Sequence, residues 1–353
     1  MEQYPKIIES ESTRHHTSKQ PLSEPIKEVP SMYLGIDISM NQLDCYRCVD
    51  GKGYHHRFAN SEEGQQALMN WLGADTYHVV MEATGVYWPG CALVLHEAGH
   101  QASVVNPAQV KLFAKSLLRR GKTDQMDAEL LHLYGERMVP KAWLPTEEVY
   151  DTLKLLTRER EDLVKQCTMV KNQRHAHTHR HRCPDTLLTL LDERLALLQK
   201  HIQQLDSMME DLCQEHLPEA FASLRSIPGV GLITACVLLG ECEGFTHATS
   251  PKQVTSFVGM NPAPNQSGSF RGHTPISKIG SPLVRKTLYL ATLQAAQHSV
   301  FKAFYERLLA KGKPNKVARI AVARKLLVIA VTLVQKQLRF DPQFHDKTDL
   351  QRP

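Results

Sequence analysis

A chain of 353 residues is long enough for two or three domains with buried cores. Its 42% hydrophobic and 22% charged residues are those of a soluble protein, and the lack of any apolar run near eighteen residues, with a polar start, argues against a membrane span or signal peptide. Eight cysteines without disulfide-like spacing point to a reducing cytoplasm, and a net charge of +5 is mild enough that its distribution matters more than its size.

Residues 1–31, rich in Glu, Ser, Lys and Pro, read as a disordered leader without chemistry. Residues 32–37 (Met-Tyr-Leu-Gly-Ile-Asp) form a short apolar run ending on Asp37. Strand-like segments follow at 43–49 and, after Gly51-Lys-Gly53, at 54–58. Ser61 is placed to cap a helix through Leu72, with Glu63 and Gly64 in its first turn. A strand over 77–82 ends on a second carboxylate, Glu82. A helix is expected over 85–98, a strand over 101–105 and a helix over 107–118. Hairpin strands followed by alternating helices and strands predict, for residues 32–145, a mixed sheet covered by helices: an α/β, ribonuclease-H-like topology.

The stretch Gly121-Lys-Thr-Asp-Gln-Met-Asp-Ala128 opens the next helix, with Thr123 as its N-cap. Asp124 and Asp127 are three residues apart and share a helix face. Taken alone, two acids there are what the helix dipole favours in a first turn. Asp37 and Glu82 change their meaning, because ligands of such a sheet gather at strand ends. Four hard oxygen donors from three elements suit two magnesium ions clamping the oxygens of a phosphoryl transfer.

Residues 146–218 contain two long helical patterns, 150–182 and 186–216, broken near Cys183-Pro184. Leucines recur at three- and four-residue intervals in both, as in an antiparallel helical hairpin or a coiled-coil seam for a partner. The first is basic, with Arg158, Lys165 and Arg174 among its cations; His175, His177, His179 and His181 alternate along it, which suits a nucleic-acid surface better than a zinc site. Residues 219–340 read as a mainly α domain, followed by a short tail over 341–353. Its Pro228-Gly-Val-Gly231 turn is either a plain interhelical turn or a helix-hairpin-helix-like device for holding phosphate. Between Pro251 and Lys336 there are fourteen Lys or Arg against one acid, Glu306, an electrostatic footprint for a polyanion.

Gly35-Ile-Asp-Ile-Ser, Glu82-Ala-Thr-Gly-Val-Tyr87 and Lys122-Thr-Asp-Gln-Met-Asp-Ala128 together resemble the insertion-sequence transposases of the DEDD type, whose amino-terminal domain is similar to the Holliday-junction resolvase RuvC. Ile227-Pro-Gly-Val-Gly231, Phe257-Val-Gly-Met-Asn-Pro262, Gln266-Ser-Gly268 and Ile276-Ser-Lys-Ile-Gly280 resemble that family's carboxy-terminal transposase domain. Sequence chemistry alone makes Ser267 a turn residue. The resemblance implies that it is the catalytic serine, which attacks the DNA phosphodiester and holds the strand covalently. Ser269 and Ser277 are its rivals. Arg271, Lys278, Arg285 and Lys286 are placed nearby to bind phosphate. The resemblance also implies double-stranded DNA of element ends and target as substrate, a structured non-coding guide RNA, and a homo-oligomer, dimer or tetramer. In that assembly the carboxylate domain of one subunit faces the serine domain of another, in a prokaryotic, nucleoid-associated setting.

Two other classes stay open on the residues. A junction-resolving nuclease would need only the carboxylates and no covalent intermediate. An actin- or sugar-kinase-like ATPase shares the opening hairpins, but would need a second Gly-rich phosphate loop that the sequence lacks. A non-catalytic nucleic-acid-binding protein is a weaker third.

Overall fold

A computed structural model describes residues 32–118, 123–264, 266, 267, 270, 271 and 274–343. The leader, Arg119 to Lys122, Gly268, Ser269 and the end of the tail lie outside the described residues. The chain forms two compact units, Met1–Pro145 and Thr146–Pro353.

In the first unit, β1 (Met32–Ile38), β2 (Gln42–Val49) and β3 (Lys52–Ala59) run antiparallel in succession, while β4 (Tyr77–Glu82) and β5 (Gln101–Val105) run parallel to β1. The spatial order β3-β2-β1-β4-β5 makes a mixed five-stranded sheet. Helices α1 (Glu62–Leu72), α2 (Trp88–Glu97), α3 (Pro107–Ser116) and α4 (Asp124–Met138) cover it. Ser61 caps α1 by accepting from the Gly64 amide, and Thr123 caps α4 by accepting from the Met126 amide. The helix expected from residue 85 starts at Trp88, because Gly85 turns the chain at a φ of 62° and Pro89 fits only the first helical turn.

Strand alternation decides what each face meets. Leu34, Ile36 and Ile38 of β1 join Val79 and Met81 of β4 in a core closed by Leu68 and Leu72 of α1 and Leu95 of α2. On the opposite face, Val80 packs with Leu130, Leu131 and Tyr134 of α4 and Val110 of α3. There α4 lies unusually close to β1. A Cβ at Gly35 would stand 2.0 Å from the Ala128 carbonyl oxygen and 2.4 Å from the His132 amide nitrogen. A Cβ at Gly135 would meet the Tyr33 ring at 2.7 Å and Val80 Cγ2 at 2.9 Å. His132 Nδ1 lies 3.0 Å from the Tyr33 carbonyl oxygen. Tyr33 and Gly35 thus face α4, with the later strand residue meeting the earlier helical residues.

The second unit is helical. Its two longest helices, α5 (Glu148–Thr178) and α6 (Asp185–His216), are joined across Cys183-Pro184. Arg160 pairs with Asp206 and Arg174 with Asp192, so the helices run in opposite directions, and Leu163, Val170 and Leu198 lie buried between them. The base of this pair, through Tyr150, Leu153, Met209 and Cys213, shares one core with α7 (Pro218–Arg225), α8 (Leu232–Glu241), α9 (Pro251–Phe257), α10 (Pro282–Ala295), α11 (Ser299–Ala310) and α12 (Asn315–Lys336). α5 ends four residues short of the expected Arg182. Among the described residues no helix is long and apolar enough to cross a membrane.

Gly35→Ala should cost about 3 kcal/mol, since its methyl group would press on helix backbone that must move as a body. Gly135→Ala should cost less, because Tyr33 and Val80 can shift. Urea unfolding of both variants checks the order.

Candidate active site

The meshing of β1 with α4 places the four expected carboxylates. Asp37 follows Tyr33 and Gly35 on the face that meets α4, two residues beyond Gly35, where the helix has run back to its first turn. Asp124 and Asp127 occupy that turn. Glu82 follows Val80 on the same face, and the parallel register ends at Ile36 beside Met81, so Asp37 and Glu82 are the next residues on adjacent strands. Thr84 donates its hydroxyl to Glu82 Oε1 at 3.0 Å.

The charges of the group reach Asp37. Asp37 is raised from the ordinary aspartate value of 3.8 to about 6, first by burial and then by the charges of Asp127, Asp124, Glu82 and Asp44. Sequence reasoning missed the last of these. Asp44 sits directly across from Asp37 in the β1–β2 register and is buried. Its neutralising partner is Arg57, which faces it from β3, donates to Asp44 Oδ1 at 2.7 Å and reaches Asp124 at 3.8 Å. A cleft of about 160 Å³ opens there, lined by Asp44, His55, His56, Arg57 and Gln125. The only signal for Asp44 in the sequence was a carboxylate between the apolar Leu43 and Cys45, which register alone turns toward Asp37.

Among the described residues, no three His, Cys, Asp or Glu side chains converge closely enough to hold a metal ion as they stand. The donor set still fits a hard divalent cation: all oxygens, on two strand ends and one helix start, with one acid driven toward its protonated form by burial and by its neighbours' charges.

Ser267 lies in the second unit, exposed on a two-residue strand, β6 (Gln266–Ser267), that pairs with β7 (Phe270–Arg271). Two sequence motifs interlock beneath this hairpin. A Cβ at Gly259 would stand 2.3 Å from the Ile279 carbonyl oxygen, and one at Gly280 1.9 Å from that of Phe257. The Lys278 amide donates to Gly259 O at 3.0 Å and that of Ser277 to Asn261 O at 2.9 Å. Arg285 ties the same base together, donating to the carbonyls of Val258 and Gly280 at 2.8 and 3.0 Å.

Several cations expected to bind nucleic acid have partners within the unit. Arg158 pairs with buried Glu241, Lys165 with Asp162, Arg174 with Asp192 and Lys286 with Glu161. Lys165 and Lys286 still line a groove of about 670 Å³ along α5, beside Thr168, Asn172 and Gln173. Lys278 is exposed; of Arg271 only the strand position is described.

A family model described as a transposase, the DEDD domain of the IS110 type, matches residues 34–181, and one described as the IS116/IS110/IS902 transposase family matches residues 222–306. The chain is similar to the pilin gene-inverting proteins of Moraxella bovis and Moraxella lacunata, each 30% identical over 89% of this chain and 99% of the relative. The transposase for insertion sequence element IS1328 of Yersinia enterocolitica is 24% identical over 64% of this chain and 77% of that protein. Fold, acidic strand ends and likeness together define a DNA transposase or recombinase of a divalent-metal-dependent class. The chain belongs to the IS116/IS110/IS902 family of transposases.

Between about 3.8 and 6 the folded chain holds the Asp37 proton that an unfolded aspartate has released. The folded state therefore binds more protons in this window, and stability falls as pH rises through it. In chelator, Asp37→Asn should melt a few degrees above wild type at about pH 7, with the gap closing by about pH 4. Thermal melts across that range measure it.

Proposed function

We propose that this transposase cuts and rejoins the DNA of an insertion sequence and its target under the direction of a structured RNA. In this reading Asp37, Glu82, Asp124 and Asp127 hold two Mg2+ ions and Ser267 is the nucleophile. The observation that carries the metal part is Asp37, raised toward neutrality by burial and by the charges of the other three members. A divalent cation reverses that local balance and lets all four ionise. When bound, such ions neutralise charge developing on the attacking and leaving oxygens of an in-line displacement.

The chain's own residues do the positioning. Asp37 and Glu82 form one wall from adjacent strand ends, and Asp124 and Asp127 the other. Thr84 orients Glu82, while Arg57 keeps the buried Asp44 charge balanced. The strand order, with three antiparallel strands leading into parallel ones, supports the ribonuclease-H-like and specifically RuvC-like reading.

For Ser267, support comes from its exposure and from the interlocked base that steadies its hairpin. Its oxygen bonds to phosphorus as the strand's own P–O bond breaks, and the reverse attack rejoins the DNA. The Pro228-Gly229 turn packs on α10, where a Cβ at Gly229 would stand 2.6 Å from the Ala291 carbonyl oxygen. Gly231, by contrast, opens α8 without a side-chain cap, leaving amides for phosphate in a helix-hairpin-helix-like use. Lys165, Lys286 and Lys278 supply cations for RNA or DNA backbone. Exposed Leu155, Leu190, Leu197 and Met208 on the long helices suit assembly of a dimer or tetramer. Relatives named for inverting a pilin gene favour a reaction that restores both strands.

Incubation with element-end DNA and magnesium, followed by denaturing electrophoresis, should trap a protein–DNA adduct that Ser267→Ala abolishes. An adduct surviving in that variant would refute the nucleophile. Metal-dependent hydrolysis with no adduct would favour a Holliday-junction-type endonuclease. Asp37→Ala and Asp127→Ala should abolish cleavage; unchanged cleavage would sink the tetrad. Sequencing of copurifying RNA should return a discrete transcript from the element's flank, and bulk host RNA alone would contradict RNA guidance.

A further inference from the structure

We infer that the turn carrying Val86 and Tyr87, with Met40 beside it, is an apolar wedge that presses on DNA bases next to the step being cut and unstacks them. Val86 is 80% exposed and Met40 59%, although Val and Met are among the types most often buried, and Tyr87 beside them is 40% exposed. Both turns leave the sheet directly after candidate metal ligands. Met40 follows Asp37 by three residues and Val86 follows Glu82 by four.

The two turns are held together. Asn60 donates its side-chain amide to the carbonyl oxygens of Ser39, at 3.0 Å, and Tyr87, at 3.3 Å, and its backbone amide to Asn41 O at 2.9 Å. One residue thus ties the β1–β2 turn to the β4–α2 loop. Gly85 turns at positive φ, and the Tyr87 ring lies 3.5 Å from where a Gly85 Cβ would stand, so the ring is braced over its own turn. A side chain meant to meet phosphate at this rim would be cationic or a hydrogen-bond donor. Beside a DNA-cutting site, Val86 and Met40 with the Tyr87 ring suit contact with bases or sugars, and apolar side chains pressed between base steps unstack duplexes.

The inference rests on the proposed reading of the carboxylates as the cutting site. It is tested with the full-length protein, as purified with its RNA, in chelator, on a duplex spanning the element's end with 2-aminopurine beside the cut step. Wild type and Tyr87→Phe should raise the fluorescence several-fold. The double variant Val86→Ser with Tyr87→Ala should lose at least about half of that rise, and should cut about tenfold more slowly in magnesium. Asn60→Ala, which keeps the apolar side chains but frees the turns, should lose part of it. A full rise in the double variant, at unchanged melting temperature, would overturn the wedge. So would unchanged fluorescence with lost self-association in sedimentation, which would make this rim a protein contact. Asp37→Ala should keep the rise and lose cutting; if it still cuts, the carboxylate reading fails while the fluorescence result judges the wedge separately.

Discussion

The close approach of β1 and α4 is the contact on which the first unit depends. No side chain separates the strand from the helix at Gly35, whose α-carbon lies against the Ala128 carbonyl and the His132 amide. Gly135, on the helix side, lets the Tyr33 and Val80 side chains close on the helix backbone. With the two backbones in contact, the helix start cannot drift away from the strand end. Asp124 and Asp127 are therefore kept near Asp37, although like charges would push them apart. Packing holds what electrostatics opposes.

That opposition is partly relieved within the sheet. Asp44 brings a fifth acid to the same face, and Arg57 pairs with it while extending toward Asp124. The arrangement leaves Asp37, half-buried and without a cation of its own in this group, as the acid whose carboxyl is raised by burial and by the remaining repulsion. A site of this kind trades stability of the metal-free chain for readiness to take up cations.

The second unit uses the same device for a different end. Gly259 and Gly280 cross at backbone distance, locking two segments of the chain into a base under the Ser267 hairpin. Arg285 serves that base by donating to its carbonyls, which explains its place without a phosphate. The ion pairs of Arg158 and Arg174 likewise bind helices to one another. Net positive charge in a stretch of sequence therefore overstates the cations free to meet a polyanion, because part of it is spent on intramolecular acids.

Much was legible in the residues themselves. Alternation and turn residues located all five strands of the sheet to within two residues, since strand period and Gly-containing turns are local properties. Ser61 and Thr123 marked their helix starts because capping is decided by the next three residues. Local reasoning was weaker where a backbone special intervened, as at Gly85, which delays α2 to Trp88. It did not find Asp44, Arg57 or Asn60, whose roles arise from partners 7 to 67 residues away in the chain, through strand register, an ion pair and loop contacts. The sequence by itself determined the kinds of element, the acids available and the family motifs, because these depend on composition and short spacing. Only the tertiary structure decided which acids share a face, which cations are already paired and that two glycines bring a helix start onto a strand end, because those are consequences of packing between distant segments.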